Sequence, residues 1–272
     1  MRRPSAAFLL SLFVLNGLLP GCGPGVPPEI PEAPVAAADT LEWSPRQVER
    51  SSSDCGEEEG VCTTVVFDYP HFEDPAAGPA EGWIHGALTA WDDPDGPRVS
   101  SPEGWADAFV ERYEAYRKEV SMPVAGWFVE RRIDVARNDT RILALELFDS
   151  RYTGGAHPLT IHRYFHLDRG SGQAISSLEA VLRPEGAVEL VALAEAQLRD
   201  DRGLDADAPL SEAGVWDARL PLPDTFLLGG DGLLLLYNVY EIAPYAVGPI
   251  EILLPWDAVR GLLEDPEWVV PG

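Results

Sequence analysis

Between Val124 and Leu167 the chain repeats one pattern three times, and that repetition constrains the fold more than any other feature. Val124–Ala136 and Arg141–Arg151 are rich in β-branched and large apolar residues, and they flank Asn138-Asp139, a hairpin-type turn. Pro158–Leu167 follows as a third strand, with Ile161, Arg163, Phe165 and Leu167 on one face and His162, Tyr164 and His166 on the other. Short connections between strands favour antiparallel neighbours, because a parallel pair needs a long crossover. Thr63–Tyr69, stopped by Pro70, reads as a strand before them. After them, Thr225–Leu228 and Gly232–Tyr240 form a hairpin around Gly229-Gly230-Asp231, and Ile250–Leu254 is a last strand. Helical spacing marks Ala80–Trp91, with Trp83, Ile84, Ala87, Leu88 and Trp91 on one face. Ser101-Pro102 opens a second helix whose Trp105, Phe109, Tyr113 and Tyr116 point to the core. Ser176–Leu182, Glu185–Arg199 (Val188, Val191, Leu193 and Ala194 inside) and Trp256–Leu263 complete the helices. Grouped strands with segregated helices predict an α+β fold, a mostly antiparallel sheet with helices on one side.

The N-terminus is a separate matter. Arg2 and Arg3 precede an apolar run, Phe8–Leu19, and small residues lead to Cys22. This is the pattern of a secretory signal peptide over residues 1–21. Leu19-Pro20-Gly21-Cys22 resembles a bacterial lipobox, which implies a lipidated Cys22 and an extracytoplasmic protein held to a membrane by lipid. Residues 22–61 then read as the lipidated Cys and a Pro/Ala-rich tether, polar and irregular from Thr40 to Gly60, with the folded domain starting near Cys62. Cys55 and Cys62 remain as a pair, and an oxidising compartment predicts a disulfide between them. The net charge of -25 argues against nucleic acid, which needs clustered Lys and Arg, and favours a basic partner.

Two segments carry a family resemblance. One is the turn Tyr152-Thr153-Gly154-Gly155-Ala156-His157-Pro158. The other is Tyr240-Glu241-Ile242-Ala243-Pro244-Tyr245-Ala246-Val247-Gly248. With the aromatic strand Tyr164–Asp168 and Gly172 between them, they resemble the RsiV-like, or DUF3298, domain. Val66-Phe67-Asp68-Tyr69-Pro70-His71-Phe72, followed by a helix, is similar to the start of the DUF4163 module that precedes this domain in PdaC-type proteins. The resemblance implies a DUF4163-like module over 62–150 and a DUF3298-like module over 151–272, which together make one compact unit. It also implies a recognition role, because RsiV-type proteins bind lysozyme through this region. The chain departs from the family in lacking a sigma-binding segment, a transmembrane helix and a polysaccharide deacetylase domain, so neither anti-sigma nor deacetylase activity is carried over.

Chemistry finds weaker footholds. His157, His162 and His166, joined by His85 or Glu146, could approach one point and hold zinc, but nothing in their spacing demands it. Ser150, Ser171, Ser176 and Ser177 lack a nucleophile elbow, and Glu146 with Asp149 is unremarkable in so acidic a chain. The expected site is therefore a binding one: Tyr152, Gly154, Gly155, His157, Tyr240, Pro244, Tyr245 and Gly248, with no metal and no cofactor. The expected partner is a basic envelope-active protein, lysozyme-like first, or a cell-wall ligand. The rivals are an envelope enzyme or metal-dependent accessory of peptidoglycan modification, using His157 and its neighbours, and a structural envelope lipoprotein.

Overall fold

The computed structural model describes residues 40–53, 55, 62–91, 96, 98–120 and 125–268. The signal peptide, Cys22 and the tether up to residue 39 lie outside the described residues. The fold begins earlier than the polarity of its first segment suggests. Strand β1 spans Trp43–Ser51, within the stretch expected to be irregular. Val48 alone is buried among its residues, because β1 is the sheet edge and its other positions face water. An edge strand built from Arg, Glu, Gln and Ser leaves no apolar alternation to read, and it also discourages pairing with other chains.

β1 pairs antiparallel with β2, Thr64–Phe72. Pro70 does not stop β2, as the sequence had suggested; it lies opposite Pro45. Ser52 N donates to Thr63 O at 3.0 Å, and counting alternate pairs from there puts Pro45–Pro70 at a non-hydrogen-bonded site. On its other side β2 meets its neighbour only up to Asp68, so the missing N–H of Pro70 breaks no ladder bond. A disulfide joins Cys55 to Cys62 across the β1–β2 connection, with Cα atoms 4.6 Å apart.

Helices α1, Gly78–Thr89, and α2, Pro102–Glu119, then cross over to β3, Phe128–Asn138, which runs parallel to β2. The Ser101 hydroxyl caps α2 by accepting from Gly104 N at 3.1 Å. Strands β4, Ile142–Tyr152, β5, Leu159–Asp168, and a short β6, Gln173–Ile175, complete a six-stranded sheet in chain order. Three smaller elements follow α3, Gly186–Asp201: a separate sheet of β7, Thr225–Leu228, β8, Gly232–Tyr237, and β9, Ile250–Pro255. The one-turn helix α4, Trp256–Val259, passes into a 3-10 turn at Arg260–Leu262. The architecture is α+β with a predominantly antiparallel first sheet.

β4 joins the two cores. Its Leu143, Leu145 and Leu147 pack with α1 and α2 on one face, while Ile142 and Ala144 pack with the C-terminal elements on the other. Two helix readings are corrected. Ser176–Leu182 is a turn, with Leu182 bridging to Leu263, because Leu178, Val181 and Leu182 are buried as anchors of a connecting segment. In α3 the buried stripe is Gly186, Leu190, Ala194 and Leu198, spaced by four, so Val188 sits on the far side at 69% exposure. Val191 and Leu193 are only partly buried at its flanks.

Side chains finish the sheet edges. The Asn238 carboxamide accepts from His162 N at 2.7 Å and donates to His162 O at 3.0 Å, filling the free side of β5 as a strand would. His166 Nε2 accepts from Leu228 N at 3.1 Å, and Arg137 donates to Leu228 O at 3.3 Å, which binds β7 to the first sheet. Asn138 repeats the carboxamide device on Leu41, at 2.9 and 2.8 Å.

Candidate functional site

The two motif segments meet in space. Gly154 and Gly155 hold φ of 106° and 112°, a region that side chains avoid, and so reverse the chain between β4 and β5. Tyr152 closes this turn by donating to Gly155 O at 2.9 Å. The reversal presents His157, exposed, to the segment after β8. Tyr245 stacks on the His157 ring with centroids 3.7 Å apart and planes 21° apart. Both side chains hydrogen-bond the same carbonyl, Pro158 O: the Tyr245 hydroxyl at 3.0 Å and His157 Nδ1 at 2.9 Å. A carbonyl only accepts, so Nδ1 carries a proton and Nε2 of the neutral ring is left to accept from the Tyr240 hydroxyl, 3.3 Å away.

Tyr240 is held against its own preference. Glu241 N donates to Asn238 O at 3.1 Å, closing a turn in which Tyr240 has φ of 68°. Such a position favours glycine, and a bulky residue there costs roughly 1–2 kcal/mol. Strain of this kind clusters at functional sites. Its result is a tyrosine ring 53% exposed beside His157 and Tyr245. Pro244 sets the entry to the Tyr245–Val247 turn and Gly248, at φ of 79°, its exit. Of the eight expected residues, His157, Tyr240 and Tyr245 form the ring cluster, Gly154, Gly155, Pro244 and Gly248 shape the turns that present it, and the Tyr152 ring stacks near Phe128 instead.

The three histidines do not converge. His162 donates through Nδ1 to Glu146 at 3.1 Å, and that hydrogen bond holds the Glu146 carboxyl below its ordinary range. His166 is fully buried between the sheets, stacked on Phe226 at 4.8 Å. Burial there, with the Arg137 charge added, pushes its pKa down to about 3. His85 lies apart on α1, bonded to Ser100 O at 2.9 Å. No group of three His, Cys, Asp or Glu side chains placed to hold a metal ion exists among the described residues.

A second feature was not read from the sequence. Trp91, Trp105, Phe109, Arg112 and Trp127 face Val129, Arg131, Arg151 and Thr153 across a cleft of about 310 Å³ between α2 and the first sheet. Its rings support one another, Trp91 on Trp105 at 4.4 Å and Trp105 on Phe109 at 5.2 Å. Arg131 is buried, donates to Asp149 at 3.2 Å and to Leu88 O and Ala90 O at 2.8 and 3.0 Å, and lies 4.4 Å over the Trp105 ring. It thereby ties the end of α1 to the sheet. Arg151 shares Asp149 at 3.1 Å. The aromatics of α2 were expected to be core, and Trp105, Phe109 and Tyr113 are; Tyr116 is 40% exposed. The signal available in advance was charge at inward strand positions. Arg131 alternates with Val129 and Ile133, and its cross-strand partner is Asp149.

Residues 57–160 match the family model described as Deacetylase PdaC, and residues 179–257 match the one described as Protein of unknown function (DUF3298). The chain is thus similar to the first family over one stretch and to the second over the stretch that follows. The first match takes in the six-stranded sheet from β2 to the first two residues of β5, including the Tyr152–His157 turn, and the second takes in α3 and the three-stranded sheet. A DUF3298 family structure from Bacteroides fragilis NCTC 9343 superposes with a TM-score of 0.68 at 19% identity, over 83% of this chain and 94% of its own. One from Pseudomonas aeruginosa PAO1 gives 0.66 at 22% identity, over 86% and 99%. At these identities the likeness is one of fold. No curated protein matches the sequence.

Proposed function

We propose that this protein is a lipid-anchored, extracytoplasmic binding protein that recognises a basic envelope-active protein, lysozyme-like first, through the His157–Tyr240–Tyr245 cluster. The exposed ring cluster carries the reading. Its two segments come from separate sheets, one ring is kept in a strained backbone position, and all three present aromatic area on connecting loops. Loops on a rigid scaffold commonly hold recognition residues, and tyrosine offers large contact area at little entropic cost. The charge of -25 supports attraction of a basic partner. The family resemblance supplies the lysozyme-like choice, and the lipobox-like run before Cys22 supplies the anchor.

Titration with lysozymes of several types at low and high salt tests this. Binding weakens as the Debye length shortens from ~8 Å at physiological salt to ~3 Å at 1 M. Tyr240→Gly is the sharpest variant, because it removes a ring while relieving the strained backbone. It lowers affinity and leaves the thermal midpoint unchanged or higher. His157→Ala and Tyr245→Ala lower affinity with little loss of stability. No binding by wild type at low salt, or full affinity in all three variants, sinks the proposal.

A further inference from the structure

We infer that the outer edge of β9 pairs antiparallel with the same edge of a second copy of this chain, about a two-fold axis at Ile252. This goes beyond the partner proposed above and stands on different groups. The hydrogen-bond parity of the second sheet locates them. Leu228 N and O are both taken by side chains of the first sheet, so they point away from β8. The two main-chain groups of a strand residue point to one side, and the side alternates along the strand. The β7–β8 ladder therefore runs from Leu227 and Thr225 to Leu234 and Leu236. β8 turns Leu233, Leu235 and Tyr237 to β9, where they meet Leu254, Ile252 and Ile250. Glu251 and Leu253 are left with N–H and C=O aimed outward, and no described residue bonds them. Both are exposed, Leu253 at 48%.

The other strand edges of the described residues are closed by devices that block pairing. β1 carries Arg, Gln, Glu and Ser along its length, and β6 is three residues long. The Asn238 carboxamide fills the free side of β5, and His166 and Arg137 cap β7. β9 has neither: it reads Ile-Glu-Ile-Leu-Leu-Pro, and Leu253 ends a cross-strand row with Leu234 and Leu227. A second copy is the occupant this edge fits. A two-fold axis at Ile252 sets each Glu251 opposite the partner's Leu253, so both outward N–H and both outward C=O groups of each copy find partners. No carboxylate then lies directly opposite another. Sliding to the next matched position brings in Pro249 or Pro255, which have no N–H to give, so this register alone satisfies the edge. An unrelated extended segment has no such two-fold match. The edge is short and each copy carries a charge of -25, so the dimer is weak and reversible: it buries less than the ~1,600 Å² of a standard interface, and like charge opposes it.

Sedimentation of the full chain over a wide range of concentration, in ~0.1 M and ~1 M NaCl, tests the inference. A reversible monomer–dimer equilibrium is expected. It tightens as the Debye length falls from ~10 Å to ~3 Å, the reverse of the salt effect on a basic partner. Leu253→Pro deletes the outward N–H, leaves the ladder to β8 whole, and raises the dissociation constant about ten-fold or more. Leu253→Glu, at an exposed position, sets carboxylates opposite each other and weakens the dimer without moving the thermal midpoint. Leu253→Lys sets an ammonium against the partner's Glu251 and keeps the dimer at low salt. The Glu and Lys variants carry the test whether or not proline is tolerated. A monomer at every concentration and salt overturns the inference, as does a dimer that weakens with salt or one that Leu253→Glu leaves intact. Equal weakening by Leu253→Glu and Leu253→Lys removes the register, and the two-fold pairing with it.

Discussion

His166 makes the stability of this protein depend on pH in a definite window. Its ring is 1% exposed, stacked on Phe226, and its Nε2 accepts the Leu228 N–H, so the folded state holds it neutral. Burial first, and Arg137 second, lower its pKa to about 3. In the unfolded chain an imidazole titrates near ~6.5. The folded value is the lower one, so the unfolded chain binds the extra proton between them. The contribution is complete above the unfolded value and is lost as pH falls toward the folded one. The slope is about 1.4 kcal/mol per pH unit, so going from pH 7 to pH 5 costs roughly 2 kcal/mol. Other groups interfere little at pH 5. The Glu146 carboxyl, held low by the His162 hydrogen bond, titrates below the ordinary range. Asp139 does too: burial pushes it up, but hydrogen bonds from Ile142, Arg137 and Arg141 outweigh that. Glu241, raised by burial, gains stability as it protonates and acts in the opposite sense. The comparison with His166→Gln cancels all of these, since a glutamine oxygen can still accept from Leu228. Urea unfolding at pH 7 and pH 5 should show wild type losing about 2 kcal/mol more than the variant. Equal losses in the two proteins would refute the reasoning, because His166 would then not be a neutral acceptor in the folded state.

Asn238→Ala strands the His162 N–H and C=O at the open side of β5 and should cost about 2–3 kcal/mol in urea unfolding. Cys22→Ser should move the protein from the membrane fraction to the soluble one, and the loss of a fatty-acid mass on the mature N-terminus is the direct measurement; a variant that stays membrane-bound at the mature size counts against the anchor.

Much of the fold was legible because local rules and the final structure agree. The Asn138-Asp139 hairpin, the β7–β8 hairpin, the Ser101 cap and the Cys55–Cys62 bridge all follow from short-range patterns of residue type. The reversal at Gly154-Gly155 was legible for the same reason, since positive φ calls for glycine. Readings failed where burial came from distant chain. β1 is polar because an edge has one neighbour, and Pro70 survives in β2 because the alternation of the ladder happens to need no donor there. Val188 lies outside because the neighbours of α3, not its own apolar content, choose the buried stripe.

The site divides in the same way. Sequence by itself determined which residues can turn and which rings are available: Gly154, Gly155, His157, Tyr240 and Tyr245. Tertiary structure decided that the rings touch, because 83 residues separate His157 from Tyr240 and only the docking of the second sheet on β5 closes that distance. The same docking sends His162 to Glu146 and His166 into the core, so three histidines close in sequence have three different fates. The arginine-lined cleft likewise needs α1, α2, β3 and β4 at once. A sequence states the chemistry of each side chain, but opposition across a cleft is a property of packing between elements far apart along the chain.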